Sequence, residues 1–296
     1  MYLTPFRIDG FNVFGAVYDQ DRRIIVDSLR LSQNAAYVHQ DPAYLLPQDA
    51  SQSIPLCGNH SYLGHAFQGY GHFLLETLPM LEYFLINEFS SGVFLPWGSP
   101  RHVTSLLYTF LDLLMINRDR VVVWDKSDIA MNIVECRPRS VEINNCIINK
   151  QPYLRVLSQI LSTIATDKIT EKRRNVFLSR NANRVSSYVN ATIEEVFREV
   201  GFDIIKPETM SILDQIKLMQ SARIIAGFAG SQLHNSIFCR EGTFVISLGD
   251  ERSPGAIIPN QLMCDSISGA ISMLAPYSKS KESMIDSVVS LLKQIG

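Results

Sequence analysis

Two short stretches carry side chains whose types and spacing can do chemistry. In GYGHFLLETLPML, His72 and Glu76 stand four residues apart, which places both on one face of a helix. A carboxylate beside an imidazole fixes its tautomer and raises its basicity. The pair therefore suits a general base and its orienter, with Glu76 itself as the alternative base. The same spacing also serves a polar pair at a domain interface. Pro79 should kink the helix nearby. His65, preceded by Gly64, is a further candidate in a loop.

The second stretch is ARIIAGFAGSQLHNSIF. Its apolar strand is expected to end at Gly227, with Gly230 and Ser231 opening a helix. Such a turn aims free N–H groups and a positive dipole end at one point, a suitable seat for a phosphate. Gly230 would let the backbone approach an anion, and Ser231 could cap the helix or donate. Gln232, His234 and Asn235 follow, the last two interrupting an otherwise apolar helix. Upstream, in FLSRNANRVSSYVN, a strand ends at Leu178, so Arg180 and Arg184 leave from the same sheet edge. Guanidinium groups grip phosphate oxygens bidentately, and two of them facing a helix N-terminus make a diphosphate clamp. The glycines equally make a tight turn, and the arginines equally sit in solvent. Thr192 and Glu195 have the spacing of a capping box, with Asn190 a turn residue before them.

The elements that must position these groups differ between the halves. Residues 11–18 and 22–27 read as strands around an Asp19-Gln20-Asp21 turn, and 28–69 as loops. A helix begins near Tyr70, a strand covers 93–96, a helix 102–116, strands 121–124 and 141–149, and a helix 152–165. The polar run TDKITEKRRN is the best linker. Beyond it strands at 175–179, 202–205, 222–227 and 243–248 alternate with helices at 192–200, 211–220 and 230–238. That rhythm implies right-handed βαβ units and a parallel sheet, whose ligands sit beyond the strands' carboxyl ends. A final helix is expected over 280–294.

Composition narrows the function. With 296 residues, 46% hydrophobic and 19% charged, the chain has an ordinary globular balance and length for two domains. A formal charge of −2 gives no reason to expect nucleic-acid binding. The five cysteines form no CxxC pair and are expected as buried free thiols in a reducing compartment. No apolar run reaches the roughly 18 residues of a membrane span. The N-terminus lacks the layout of a signal peptide. A cytoplasmic protein is the expectation, with peripheral contact at the inner face of the membrane left open.

Taken together, these segments resemble glycosyltransferase family 61. His72 through Pro79 resembles the family's His-aromatic-Leu-Leu-Glu-x-Leu-Pro segment. Ser179-Arg180 with Arg184 and Asn190 is similar to its Ser-Arg…Arg…Asn stretch. Gly201-Phe202 through Asn235, with Pro207-Glu208, Gln215 and the Gly230-Ser231 turn, resembles its closing signature. The resemblance implies an α/β chain with a GT-B-like fold, two Rossmann-like domains with parallel sheets facing a cleft. It implies an acceptor-side domain over 1–168, a nucleotide-sugar-binding domain over 169–278, and a helix over 279–296 returning to the first domain. Sugar transfer would be inverting and metal-independent, from a nucleotide-diphosphate donor such as a UDP-sugar to a glycan, polysaccharide or lipid-linked saccharide, by a hexosyl- or pentosyltransferase without a cofactor. His72 and Glu76 would be catalytic. Arg180, Arg184, Gly230, Ser231, Gln232, His234 and Asn235 would hold the donor. Two positions depart from the pattern: Ala229 where many members have His, and Ser247 where an acidic residue often stands. The alternatives are a catalytically silent sugar-nucleotide or glycan-binding subunit of a polysaccharide assembly complex, and a pyruvyl-type transferase using phosphoenolpyruvate.

Overall fold

A computed structural model describes residues 1–5, 7–9, 12–30, 38–39, 53–164, 174–179, 187–249, 253–278 and 280–295. The chain divides into two compact units, Met1–Thr163 and Ile164–Gly296. Both are α/β.

The first unit holds strands β1 (Tyr2–Leu3), β2 (Arg7–Asp9), β3 (Asn12–Phe14), β4 (Val17–Tyr18), β5 (Val38–His39), β6 (Ser53–Phe67), β7 (Ser91–Trp97), β8 (Val121–Val123), β9 (Ile129–Cys136), β10 (Val141–Glu142) and β11 (Ile147–Ile148). Its main sheet has the order β4-β1-β9-β6-β7-β8. Strands β9, β6, β7 and β8 run parallel, while β1 and β4 close one edge antiparallel. In β7 the run from Gly92 to Pro96 is buried throughout, as expected of a parallel strand covered on both faces.

Strand β6 lies in a region expected to be loops. Its Pro55, Gly58 and Gly64 read as turn formers, and both glycines take a φ of +88°. The strand absorbs them as bends, with register shifts between Pro55 and His60 and between Tyr62 and His65. Residues 22–27, expected as a strand, contribute one bridge from Ile24 to Tyr18 and a short 3-10 turn, Val26–Ser28. The strand expected over 141–149 is instead the hairpin β10–β11, turned through Cys146 at φ 51°.

The segment after β6 runs as α1 (Tyr70–His72), a π turn (Phe73–Thr77), a 3-10 turn (Leu78–Leu81) and α2 (Glu82–Ile86). Pro79 explains the irregularity: it has no N–H, and its ring crowds the carbonyl of Leu75. That carbonyl accepts instead from the Tyr153 hydroxyl, which comes from α4 (Lys150–Thr163); α3 (Pro100–Leu113) precedes it. Thr77 fastens the segment to β6, donating to the His65 carbonyl at 3.1 Å and accepting from the Phe67 N–H at 3.1 Å. Phe73, Leu74, Leu75, Leu78 and Leu81 are fully buried. Glu76 is therefore held in place from both sides.

The second unit holds β12 (Arg174–Leu178), α5 (Ser187–Glu199), β13 (Asp203–Ile205), α6 (Ile212–Ser221), β14 (Ala222–Phe228), β15 (Phe244–Leu248), α7 (Pro259–Ser268), β16 (Ile271–Ala275) and α8 (Lys281–Ile295). All five strands are parallel, in the order β13-β12-β14-β15-β16. Counted within the unit this is 2-1-3-4-5, a doubly wound Rossmann-like arrangement. The sequence rhythm found its first four strands; α7 and β16 were not foreseen.

Three expectations change here. Helix α5 begins at Ser187, so Thr192 and Glu195 lie inside it and form no capping box. The last helix, expected to return to the first half, packs Met284 and Val288 into the second unit's own core with Phe197 and Ile246. The segment 230–238 is a turn followed by a 3-10 helix, Leu233–Phe238, and not an α-helix. Side chains take the carbonyls an α-helix would use: Asn235 donates to Gln232 O and Gln261 to Leu233 O. The cysteines are free, as expected, yet Cys57 and Cys146 are exposed.

Candidate active-site residues in the two units

In the first unit His72 and Glu76 do meet. The imidazole Nδ1 lies 2.7 Å from Glu76 Oε1. Arg30, unforeseen in the sequence, holds the same carboxylate bidentately, Nε to Oε2 at 2.7 Å and Nη2 to Oε1 at 2.9 Å. The Arg30 guanidinium also lies over the Trp97 ring, 4.9 Å from its centroid, and over Phe67 at 5.1 Å. Burial pushes the Glu76 carboxyl upward, but the hydrogen bonds and charges of His72 and Arg30 outweigh it and hold the group below its ordinary range. Glu76 is only 11% exposed, whereas the His72 side chain is 44% exposed. With Nδ1–H donating to the carboxylate, Nε2 carries the lone pair that can take a proton.

Glu76 lines a cavity of about 210 Å³ with Arg30, Arg139 and Asp27. Burial lowers the Arg139 guanidinium to about 10, and its Nη2 has no hydrogen-bond partner among the described residues. A smaller recess adds His65, which is a residue of β6 packed against the Trp97 ring and not a loop residue.

In the second unit the strand order reverses between β12 and β14, the switch point at which open α/β sheets bind ligands. The two strands approach closely at Gly227, where a Cβ would come within 2.9 Å of the Leu178 carbonyl. Beyond their ends lie Gly230, half-buried, and Ser231, exposed. Among the described residues, the N–H groups of Gly230, Ser231 and Gln232 donate to no backbone carbonyl. Gln232 spans the switch point, its amide donating to Leu178 O at 3.1 Å. His234 and Asn235 are buried beneath the turn. Asn235 donates to Gln215 at 2.9 Å, and Gln215 to the carbonyls of Pro207 and Met210. These residues thus brace the turn from below. Ser247, at the departure from the family pattern, is buried in β15. Arg180 and Arg184 lie outside the described residues, and Asn190 falls in the first turn of α5. Asp19-Gln20-Asp21, an Asp-x-Asp run, forms a turn in which Asp19 accepts from the Arg23 N–H.

The second unit is thus a Rossmann-like domain with a braced Gly-Ser turn at its switch point, and the first carries a buried, cation-held carboxylate beside a histidine. A family model described as Glycosyltransferase 61 matches residues 70–246, more than half of the chain. The chain belongs to glycosyltransferase family 61, and the activity of that family is transfer of a sugar from a donor to an acceptor. The match spans His72, Glu76 and the Gly230 turn; Arg30 lies before it. No curated protein matches the chain. Among the described residues no helix is long and apolar enough to cross a membrane.

Proposed function

We propose that the protein is an inverting, metal-independent transferase of GT-B type that moves a sugar from a nucleotide-diphosphate donor, a UDP-sugar, to a hydroxyl of a glycan. The donor belongs to the second unit and the acceptor to the first. The observation that carries this reading is the bond of His72 Nδ1 to a carboxylate kept ionised by the hydrogen bonds it accepts and by the Arg30 guanidinium. A carboxylate so held is a poor base and a good orienter, so His72 takes the proton and Glu76 positions it.

In the transfer, His72 Nε2 accepts the proton of the acceptor hydroxyl. The hydroxyl oxygen bonds to the anomeric carbon from the face opposite the leaving group. The bond from that carbon to the diphosphate oxygen breaks, and its electron pair departs with the nucleotide diphosphate. Arg180, Arg184 and the N–H groups of the Gly230-Ser231-Gln232 turn take up that charge. His234 and Asn235 keep the turn in place.

The test is UDP release and product anomeric configuration, followed by NMR with a panel of UDP-sugars, with and without magnesium. Inverted product formed without magnesium supports the proposal; retained configuration or strict magnesium dependence overturns it. Arg180→Ala should cost about 2–3 kcal/mol in kcat/KM, the worth of a charge-assisted bond. Tight UDP binding without turnover on any acceptor would favour the assembly-subunit reading, consistent with Ala229 and Ser247.

A further inference from the structure

The first unit contains four arginines around two adjoining cavities, and they are not equivalent. Arg30 is committed to Glu76, and Arg155 to Glu82. Arg137 and Arg139 are in no ion pair among the described residues. They sit two apart on the extension of β9, with Pro138 between them and the Arg137 N–H bonded to Tyr62 O at 3.0 Å. Arg137 lies 5.5 Å above the Tyr83 ring. Arg139 has a buried Nη2 that meets no acceptor among the described residues. Leaving a buried charged donor unsatisfied is costly, and an incoming anion removes that cost.

The cavities explain where such an anion would come from. The one of about 210 Å³ contains Glu76 and Arg30; the other, about 380 Å³, contains Tyr83, Asn149, Gln151 and Arg137. Pro138 and Arg139 line both, so Arg139 stands where the two meet. The larger falls within the roughly 300–1,000 Å³ of small-molecule sites. Its amides and aromatic ring are the groups that take sugar hydroxyls and the C–H face of a pyranose. Of the three acids lining the smaller cavity, Glu76 is already held by Arg30, and Asp27 and Glu142 are exposed and screened by water.

We infer that this groove is an acceptor subsite for a carboxylate-bearing saccharide, a uronic acid unit gripped by Arg137 and Arg139 next to the sugar whose hydroxyl is presented to His72. The guanidinium fork matches a carboxylate, which a neutral hexose does not offer. The inference rests on the transferase reading for the word acceptor, but not for the binding itself.

The experiment is calorimetric binding of galacturonic acid and hyaluronan tetramers to the full-length protein without donor, each compared with its own methyl ester. At least one acid tetramer should bind about ten-fold tighter than its ester, the effect of one charge-assisted bond. Arg137→Gln and Arg139→Gln should each bring acid and ester together, and Arg137→Lys should keep part of the preference. Should Arg139→Gln fail to fold, Arg137→Gln carries the test, because its ring-stacked side chain is not the buried one. Equal binding of acid and ester, no binding of any acid, or a preference that survives Arg137→Gln overturns the inference. Binding is measured without turnover, so an acid-selective groove in a protein that transfers nothing would sink the transferase reading alone.

Discussion

Glu76 and Asp265 are both carboxylates withdrawn from water, and their surroundings push them in opposite directions. Glu76 is held by the Arg30 guanidinium and the His72 ring, lines a cavity and is kept ionised. Asp265, on α7, is held by neutral donors: Ser236 at 2.6 Å and Gln261 at 2.7 Å on one oxygen, Ser272 at 2.5 Å on the other. Burial dominates there, and the three hydrogen bonds do not offset it, so its carboxyl is raised above the ordinary range. Asp265 ties the 3-10 turn below Gly230 to α7 and β16, and it is 1% exposed. One buried acid faces a cavity with its charge paired; the other is a joint in the fold. Charge-paired and open marks chemistry, and neutral-bonded and closed marks architecture.

The sharpest way to break this contrast is His72→Ala. Transfer should fall by about 10²–10⁴-fold, the range for a lost general base, with UDP affinity unchanged by calorimetry. Loss of UDP binding instead would make the pair an interface element. Next in size is Asp265→Ala, which strands three donors and should cost about 2–4 kcal/mol of stability in urea unfolding. Its turnover at saturating substrate should match wild type, and a large kcat loss would place Asp265 on the wrong side of the comparison. Smaller again is the same carboxylate-to-amide change at both sites. Glu76→Gln unpairs Arg30 and should destabilise by about 1–3 kcal/mol. Asp265→Asn keeps its partners, removes a buried charge and should stay within about 1 kcal/mol of wild type in either direction. Equal losses at the two positions would erase the distinction.

The second unit was legible because each parallel strand is a short apolar run between polar connections, as in NVFLS and ARIIAG. Strand β6 was not, because Pro55, Gly58 and Gly64 carry the local signal of turns while pairing on both sides overrides it. The helix expected over 230–238 failed for a similar reason, since competing side-chain bonds from Asn235 and Gln261 are tertiary facts. The His72–Glu76 contact was readable from spacing alone. Arg30 was not, because its partner lies 46 positions away. Nor was Arg139: no local pattern distinguishes an arginine whose Nη2 meets no acceptor among the described residues.

The two acids should also separate by pH, with the smallest effect but a definite sign. Glu76 titrates lower in the folded than in the unfolded chain, so its stabilising contribution is full above the ordinary carboxylate value of about 4.3 and is lost as pH falls through its depressed folded value. Asp265 titrates higher in the folded chain. Its contribution is full below the ordinary value of about 3.9 and is lost as pH rises through its raised folded value. At neutral pH its charge therefore works against folding. Urea midpoints of wild type, Glu76→Gln and Asp265→Asn across the acid range check this directly. The advantage of wild type over Glu76→Gln should shrink as pH falls through the depressed folded value. Its standing relative to Asp265→Asn should improve over the same descent, beginning from higher pH. Difference curves of the same slope would mean that Arg30 and His72 around Glu76 and the neutral donors around Asp265 do not set the two charge states, and that the contrast in their partners has no energetic consequence.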